Sequence, residues 1–209
     1  MTKIILVRHG ETAWNSSGRY QGQTDIPLSE TGIEQAKCLA DNFIYGAPRV
    51  IYASDLTRAR QTAEILAEKF GFTVHFEPNL REINFGAWEG LSYEKIGARW
   101  PEEIKKFFQA PDEMKIPQGE SVTELQARTS GVLEKIIARH PDEEILLVAH
   151  GAVLRSLISY ALHVPLKYFW SIRQFNTAVS IITYADGVFS TELINSTAHL
   201  GGKFAPSRI

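Results

Sequence analysis

The chain has one cysteine in 209 residues, Cys38, which excludes an intramolecular disulfide. Its neighbours Ala36, Leu39 and Ala40 place it on a helix's apolar face, as packing rather than as a reactive thiol. No apolar run reaches the length of a membrane span, and Met1, Thr2 and Lys3 lead straight into a strand-like segment, so neither a membrane anchor nor a signal peptide is supported and the cytoplasm is the expected compartment. Charge of one sign is also lacking. Lys and Arg number 22 against 24 Asp and Glu, a formal net charge of -2. Without a broad basic field, nucleic acid and anionic membranes are not expected partners, and any anion must be recognised locally. There is no Ser/Gly-rich linker, charge block, low-complexity tract or internal repeat. With 44% hydrophobic residues, one substantial core is expected, as a single domain over 1–209 with an insertion at about 83–120. Several catalytic signatures are missing too: a Gly-rich loop ending in Lys and Ser/Thr, HExxH, GxSxG, a strand-end DxD, and a cysteine followed six residues later by arginine.

What is present alternates. Strand-like runs fall at Lys3–Val7, Arg49–Ala53, Thr73–Glu77 and Glu144–Ala149, separated by helical periodicity. Thr31 and Glu34 suggest a capping box ahead of Ala36, Leu39, Ala40 and Phe43. Leu56, Ala59, Ala63, Leu66 and Phe70 recur at helical spacing, as do Val122, Leu125, Val132, Leu133 and Ile136, and another helix starts at Gly151. This order predicts an α/β fold, a three-layer αβα domain around a mainly parallel sheet. The chain then changes character: Ala178–Tyr184 and Val188–Ile194 flank Ala185, Asp186 and Gly187 as a hairpin, whose edge offers one route to a homodimer. Between Glu82 and Gly119 the irregular pattern, rich in proline and aromatics, suggests a helical lid over the sheet.

Two strands end in histidine. Val7 leads into Arg8 and His9, and Ala149 into His150 and Gly151 at a helix start, where free amides and the helix dipole favour phosphate. Strand ends are where ligands collect in open α/β sheets. An arginine offers a fixed fork of donors to anionic oxygens, and a neutral histidine offers a lone pair able to attack phosphorus. Arg58, early in a helix, and Glu82, beyond the third strand, complete a candidate set of two arginines, two histidines and a carboxylate. The alternatives are plainer: His9, His150 and Glu82 as metal ligands, which flanking arginines oppose, Arg58 as a solvated helix charge, and Glu82 as a surface acid paired with Arg81. His75, His140 and His163 read as structural or exposed, Trp88 and Trp100 as packing, and His199 as a terminal surface residue.

Leu6–Thr12 with Asn15, Gly18–Gly22 and Pro27–Ser29, then Ser54, Asp55, Leu56, Arg58, Ala59 and Thr62, then Leu80, Arg81, Glu82, Gly86 and Trp88, and finally Ala149, His150 and Gly151 resemble, in order, the motifs of the histidine phosphatase superfamily, in its phosphoglycerate-mutase-like branch. The resemblance covers essentially the whole chain. It implies that His9 is the nucleophile that becomes phosphohistidine, that Arg8, Arg58 and His150 hold the phosphoryl group, that Glu82 is the proton donor, and that Asn15, Gln21, Gly22 and Gly151 line the pocket. Positioning and charge compensation by such a set need no metal, so no cofactor is expected. The partner is then a small phosphorylated metabolite. Hydrolysis is favoured over mutase transfer, because mutases of this family resemble longer chains with extra basic residues. The α-ribazole phosphate, phosphoserine and broad-specificity phosphatases remain alternatives, as does a non-catalytic binding module, which predicts losses among the five central residues. Specificity is expected from the lid, where Phe85, Trp88, Tyr93 and Phe107 suit a bulky alcohol.

Overall fold

A computed structural model describes residues 1–204; residues 205–209 of the expected domain lie outside the described residues. Its elements are β1 (Thr2–Arg8), α1 (Ala13–Ser16), α2 (Glu30–Asp41), β2 (Val50–Ala53), α3 (Thr57–Phe70), β3 (Val74–Phe76), α4 (Tyr93–Arg99), α5 (Pro101–Gln109), α6 (Val122–Arg139), β4 (Glu144–Ala149), α7 (Gly151–Ala161), β5 (Val179–Ala185) and β6 (Val188–Ser196). Among the described residues six strands form one sheet in the order β3-β2-β4-β1-β5-β6. The first four are parallel, and β5 and β6 are antiparallel additions.

The two-residue period of a strand explains the layering. Ile4 to Val7 are all fully buried, yet Ile5 and Val7 pack with Leu39, Ala63 and Leu66 of α2 and α3, whereas Ile4 and Leu6 pack with Leu133 and Leu157 of α6 and α7. The sheet is thus covered on both faces, as the continuous apolar runs require. The α/β reading holds.

Local chemistry sets the ends of elements. Ser121 and Glu124 form a reciprocal capping box at α6. At α2 the expected Thr31–Glu34 box is corrected: Ser29 is the cap, in extended backbone, and its hydroxyl accepts from Gly32 N at 3.1 Å, which leaves Thr31 inside the first turn. Asp186 and Gly187 turn the β5–β6 hairpin with positive φ at both positions, the conformation that two-residue hairpin loops demand.

The 83–120 segment is helical, with α4, α5 and short 3₁₀ turns. Trp88 and Phe107 are fully buried, packed edge-to-face at 5.2 Å, and the Trp170 indole donates to the Phe107 carbonyl at 2.6 Å. These contacts anchor the segment to the 3₁₀ turn Leu166–Ser171 that follows α7. Glu89 ties it to the loop between α1 and α2, accepting from Gln23 N at 2.8 Å, from Thr24 N at 2.9 Å and from the Thr24 hydroxyl.

Candidate active site

Register brings the strand ends together. Arg8 pairs with Ala149 and Ala53 with Val148, so β1, β4 and β2 finish level. His9 N donates to Ala149 O and Ser54 N to Val148 O, both at 3.0 Å. The two strand-terminal imidazoles consequently lie 5.2 Å apart, centroid to centroid.

Both are buried. The His9 Nδ1 lies 2.7 Å from the Gly10 carbonyl. A carbonyl only accepts, so the proton sits on Nδ1 and the Nε2 lone pair is free. Burial first, then the charges of Arg58 and Arg8, hold His9 well below the usual imidazole pKa and keep it neutral. Burial and the same arginines depress His150 as well; its Nε2 meets the Ser54 hydroxyl at 2.8 Å.

Two arginines act on both imidazoles, and a third lines the same cavity. Arg8 donates to Gln174 O at 2.6 Å, and Arg58 to Gly22 O and Thr24 O at 2.7 and 3.0 Å. Burial lowers Arg8 to about 9 and Arg58 to about 10, still charged at neutral pH. Among the described residues neither has an ion-pair partner, and the Nε of each is buried without a hydrogen bond. The third, Arg155, projects from α7, is also buried, and is lowered to about 10 by desolvation. A Cβ on Gly151 would lie 3.2 Å from Arg155 Nη1 and 3.6 Å from the Arg8 guanidinium, so both side chains flank that glycine. The Glu82 carboxylate acts on all three, yet one carboxylate among three buried guanidiniums leaves a net positive charge whose burial is costly unless an anion joins them.

Glu82 sits at the α7 N-terminus. Its carboxylate accepts from Ile83 N at 2.9 Å and from Ala152 N at 3.2 and 3.3 Å. Arg81, its expected plain partner, instead pairs with Asp55. Arg8, His9, Asn15, Gln21, Gly22, Arg58, Glu82 and Gly151 line one cavity of about 520 Å³. A side chain at Gly22 would be strained by its φ of +57° and would displace the Glu89 carboxylate, since a Cβ there falls 2.0 Å from Glu89 Oε1. Among the described residues no three His, Cys, Asp or Glu side chains gather as a metal site.

A family model described as histidine phosphatase superfamily, branch 1, matches residues 4–197. The chain belongs to that superfamily. Phosphoserine phosphatase 1 of Hydrogenobacter thermophilus is 36% identical over 201 residues, covering 96% of this chain and 95% of that protein. A probable phosphoglycerate mutase of Yersinia pestis is 35% identical over 205 residues, with the same coverage. The structure of a histidine-to-alanine variant of Entamoeba histolytica phosphoserine phosphatase, in complex with phosphoserine, superposes with a TM-score of 0.88 at 33% identity, covering 96% of this chain and all of that one.

Eight of the nine expected site residues line the one cavity; the ninth, His150, is fully buried with its ring 5.2 Å from that of His9, and the structure adds others. Arg155 was signalled only by an arginine in the otherwise uncharged run Val153–Ile158. Asn176 Nδ2 donates to His9 O at 3.0 Å and Thr177 N to Arg8 O at 3.1 Å, bracing the β1 end. Arg128, from α6, donates to Glu82 O at 3.0 Å. Two expectations are corrected. Trp88 packs in the core as its packing reading expected, so its place among the lid residues that suit the alcohol is withdrawn, while Phe85, Tyr93 and Phe107 do line the cavity. His199 is buried rather than a surface residue: Nδ1 meets the Tyr45 hydroxyl and Nε2 the Thr177 hydroxyl, each at 3.2 Å, and burial lowers it to about 4. Cys38 is half-buried and donates its thiol to the His199 carbonyl at 3.1 Å. No described helix is long and apolar enough to cross a membrane.

Proposed function

We propose that this protein is a phosphomonoesterase that hydrolyses esters of small metabolites through phosphohistidine at His9. One observation carries the reading: a neutral imidazole with a free Nε2 lies beside buried guanidiniums that form no ion pair among the described residues. Arg8, Arg58, Arg155 and His150 surround the phosphoryl oxygens and compensate the charge spread over them in the transition state. His9 Nε2 attacks phosphorus as the ester P–O bond breaks, and Glu82 protonates the departing alkoxide. Water then attacks phosphohistidine, giving its proton to Glu82, while the N–P bond breaks and phosphate leaves. Asn15, Gln21, Gly22 and Gly151 shape the pocket, and residues 83–120 act as the lid of one domain.

The identity to a protein named phosphoserine phosphatase, and the likeness to another holding phosphoserine, support hydrolysis over transfer between hydroxyls. Phosphoserine and 3-phosphoglycerate are therefore the first esters to assay. With a ³²P-labelled ester, alkaline quenching should retain label on the protein and acid quenching should lose it, because the N–P bond is acid-labile. His9→Ala should abolish labelling, and EDTA should leave turnover intact. Label that survives acid, or turnover in His9→Ala, overturns the proposal.

A further inference from the structure

Beyond the phosphoryl-binding residues the cavity continues outward, and its outer wall is aromatic. Trp14 comes from α1, Tyr93 from α4, Phe107 and Phe108 from α5, and Trp170 from the 3₁₀ turn Leu166–Ser171. Two of these are already committed. Trp170 packs on Phe107 at 4.7 Å and carries the Arg155 guanidinium over its ring at 5.0 Å. Phe108 packs on both of them, at 5.3 Å each, yet Tyr93 and Phe108, their rings 6.0 Å apart, line the cavity and remain 51% and 39% exposed. Trp14, half-buried, lines the same space.

Large aromatic faces grouped along a cleft and left in water mark a surface that a ligand covers. We propose that the preferred substrates are phosphomonoesters whose alcohol carries a planar aromatic ring, seated against Tyr93, Phe108 and Trp14. This rests on the reading of the phosphoryl site above and names its substrate class. A compact charged alcohol such as serine leaves those faces hydrated. A planar ring buries them and stacks, and Arg19, Ser92 and Glu94 on the same cavity offer polar partners for its substituents. Arg155 stands beside Arg8 at Gly151, and in the proposed mechanism it serves the phosphoryl group, so it is not counted as a partner for an acidic alcohol.

The test uses matched esters on a primary alkyl oxygen: ethyl against 2-phenylethyl phosphate, and ribose 5-phosphate against adenosine 5'-monophosphate. In at least one pair the ring should raise kcat/KM by about tenfold or more, the scale of one stacked ring. Tyr93→Ala and Phe108→Ala should each shrink that ring-to-ringless ratio, and Tyr93→Leu, which keeps bulk without a ring, should shrink it as well. A ratio near one in both pairs, a ratio unmoved by the variants, or phosphoserine outperforming both ring-bearing esters overturns the proposal. Phosphohistidine trapped with ethyl phosphate reports separately on the underlying reaction, so the two failures are distinguishable.

Discussion

Removing Arg128 should cripple proton donation without weakening phosphate binding. Its Nη1 donates to Asn79 O at 2.7 Å and its Nη2 to Glu82 O at 3.0 Å, while Nε and Nη2 grip Glu120 at 2.7 and 2.9 Å. Glu120 in turn accepts from Asn84 N at 3.2 Å. The chain on both sides of Glu82 is therefore pinned to one guanidinium. The paired side chains are 20% and 14% exposed, between a surface pair worth ~0–1 kcal/mol and a severed buried pair costing ~3–5 kcal/mol, so Arg128→Ala should cost about 2–3 kcal/mol. For a chain of this length that lowers Tm by about 5–10 °C. Kinetically, a carboxylate displaced by about 1 Å loses on the order of 100-fold. The assay compares an alkyl phosphate, whose alkoxide needs a proton, with nitrophenyl phosphate, whose leaving group does not. The kcat for the alkyl ester should fall far more than that for nitrophenyl phosphate, and inhibition by inorganic phosphate should be unchanged, with Arg128→Lys recovering part of the loss. An equal fall for both esters would mean that Arg128 supports only the fold, and would refute the positioning role.

Two further outcomes follow from the same geometry. Glu89→Gln keeps one carbonyl acceptor where two carboxylate oxygens hold residues 23–24; the Gly22 and Thr24 carbonyls that orient Arg58 then loosen, and the inhibition constant for phosphate should rise about tenfold, an unchanged constant arguing against the clasp. His199 is lowered to about 4 by burial against about 6.5 when unfolded. A depressed folded value means stability is full above about 6.5 and declines as pH falls toward about 4. His199→Asn should flatten that decline in thermal unfolding, and parallel curves for parent and variant would exclude the contribution.

Much of the site was legible because its residues sit at strand ends, where the alternation of apolar strands and amphipathic helices already fixes direction. Arg8–His9 and Ala149–His150 each close an apolar run, and Arg58 and Glu82 follow the next two strands. The supporting residues were not legible. Arg128 lies on the exposed-looking side of an ordinary amphipathic helix, and Glu89 and Glu120 read as surface acids until their partners, tens of residues away, are in place. His199 shows the same limit, since burial at a chain end depends on what packs over it.

The sequence by itself determined the strand and helix order, the chemistry available at each strand end and the absence of any broad charge, because these are properties of periodicity and composition. Tertiary structure alone decided that β1 and β4 are neighbours in a register pairing Arg8 with Ala149, and hence that two imidazoles 141 positions apart lie 5.2 Å from each other. It also decided which arginines are desolvated and unpaired. Burial and charge pairing are sums over the whole packed chain, and no local stretch of sequence contains them.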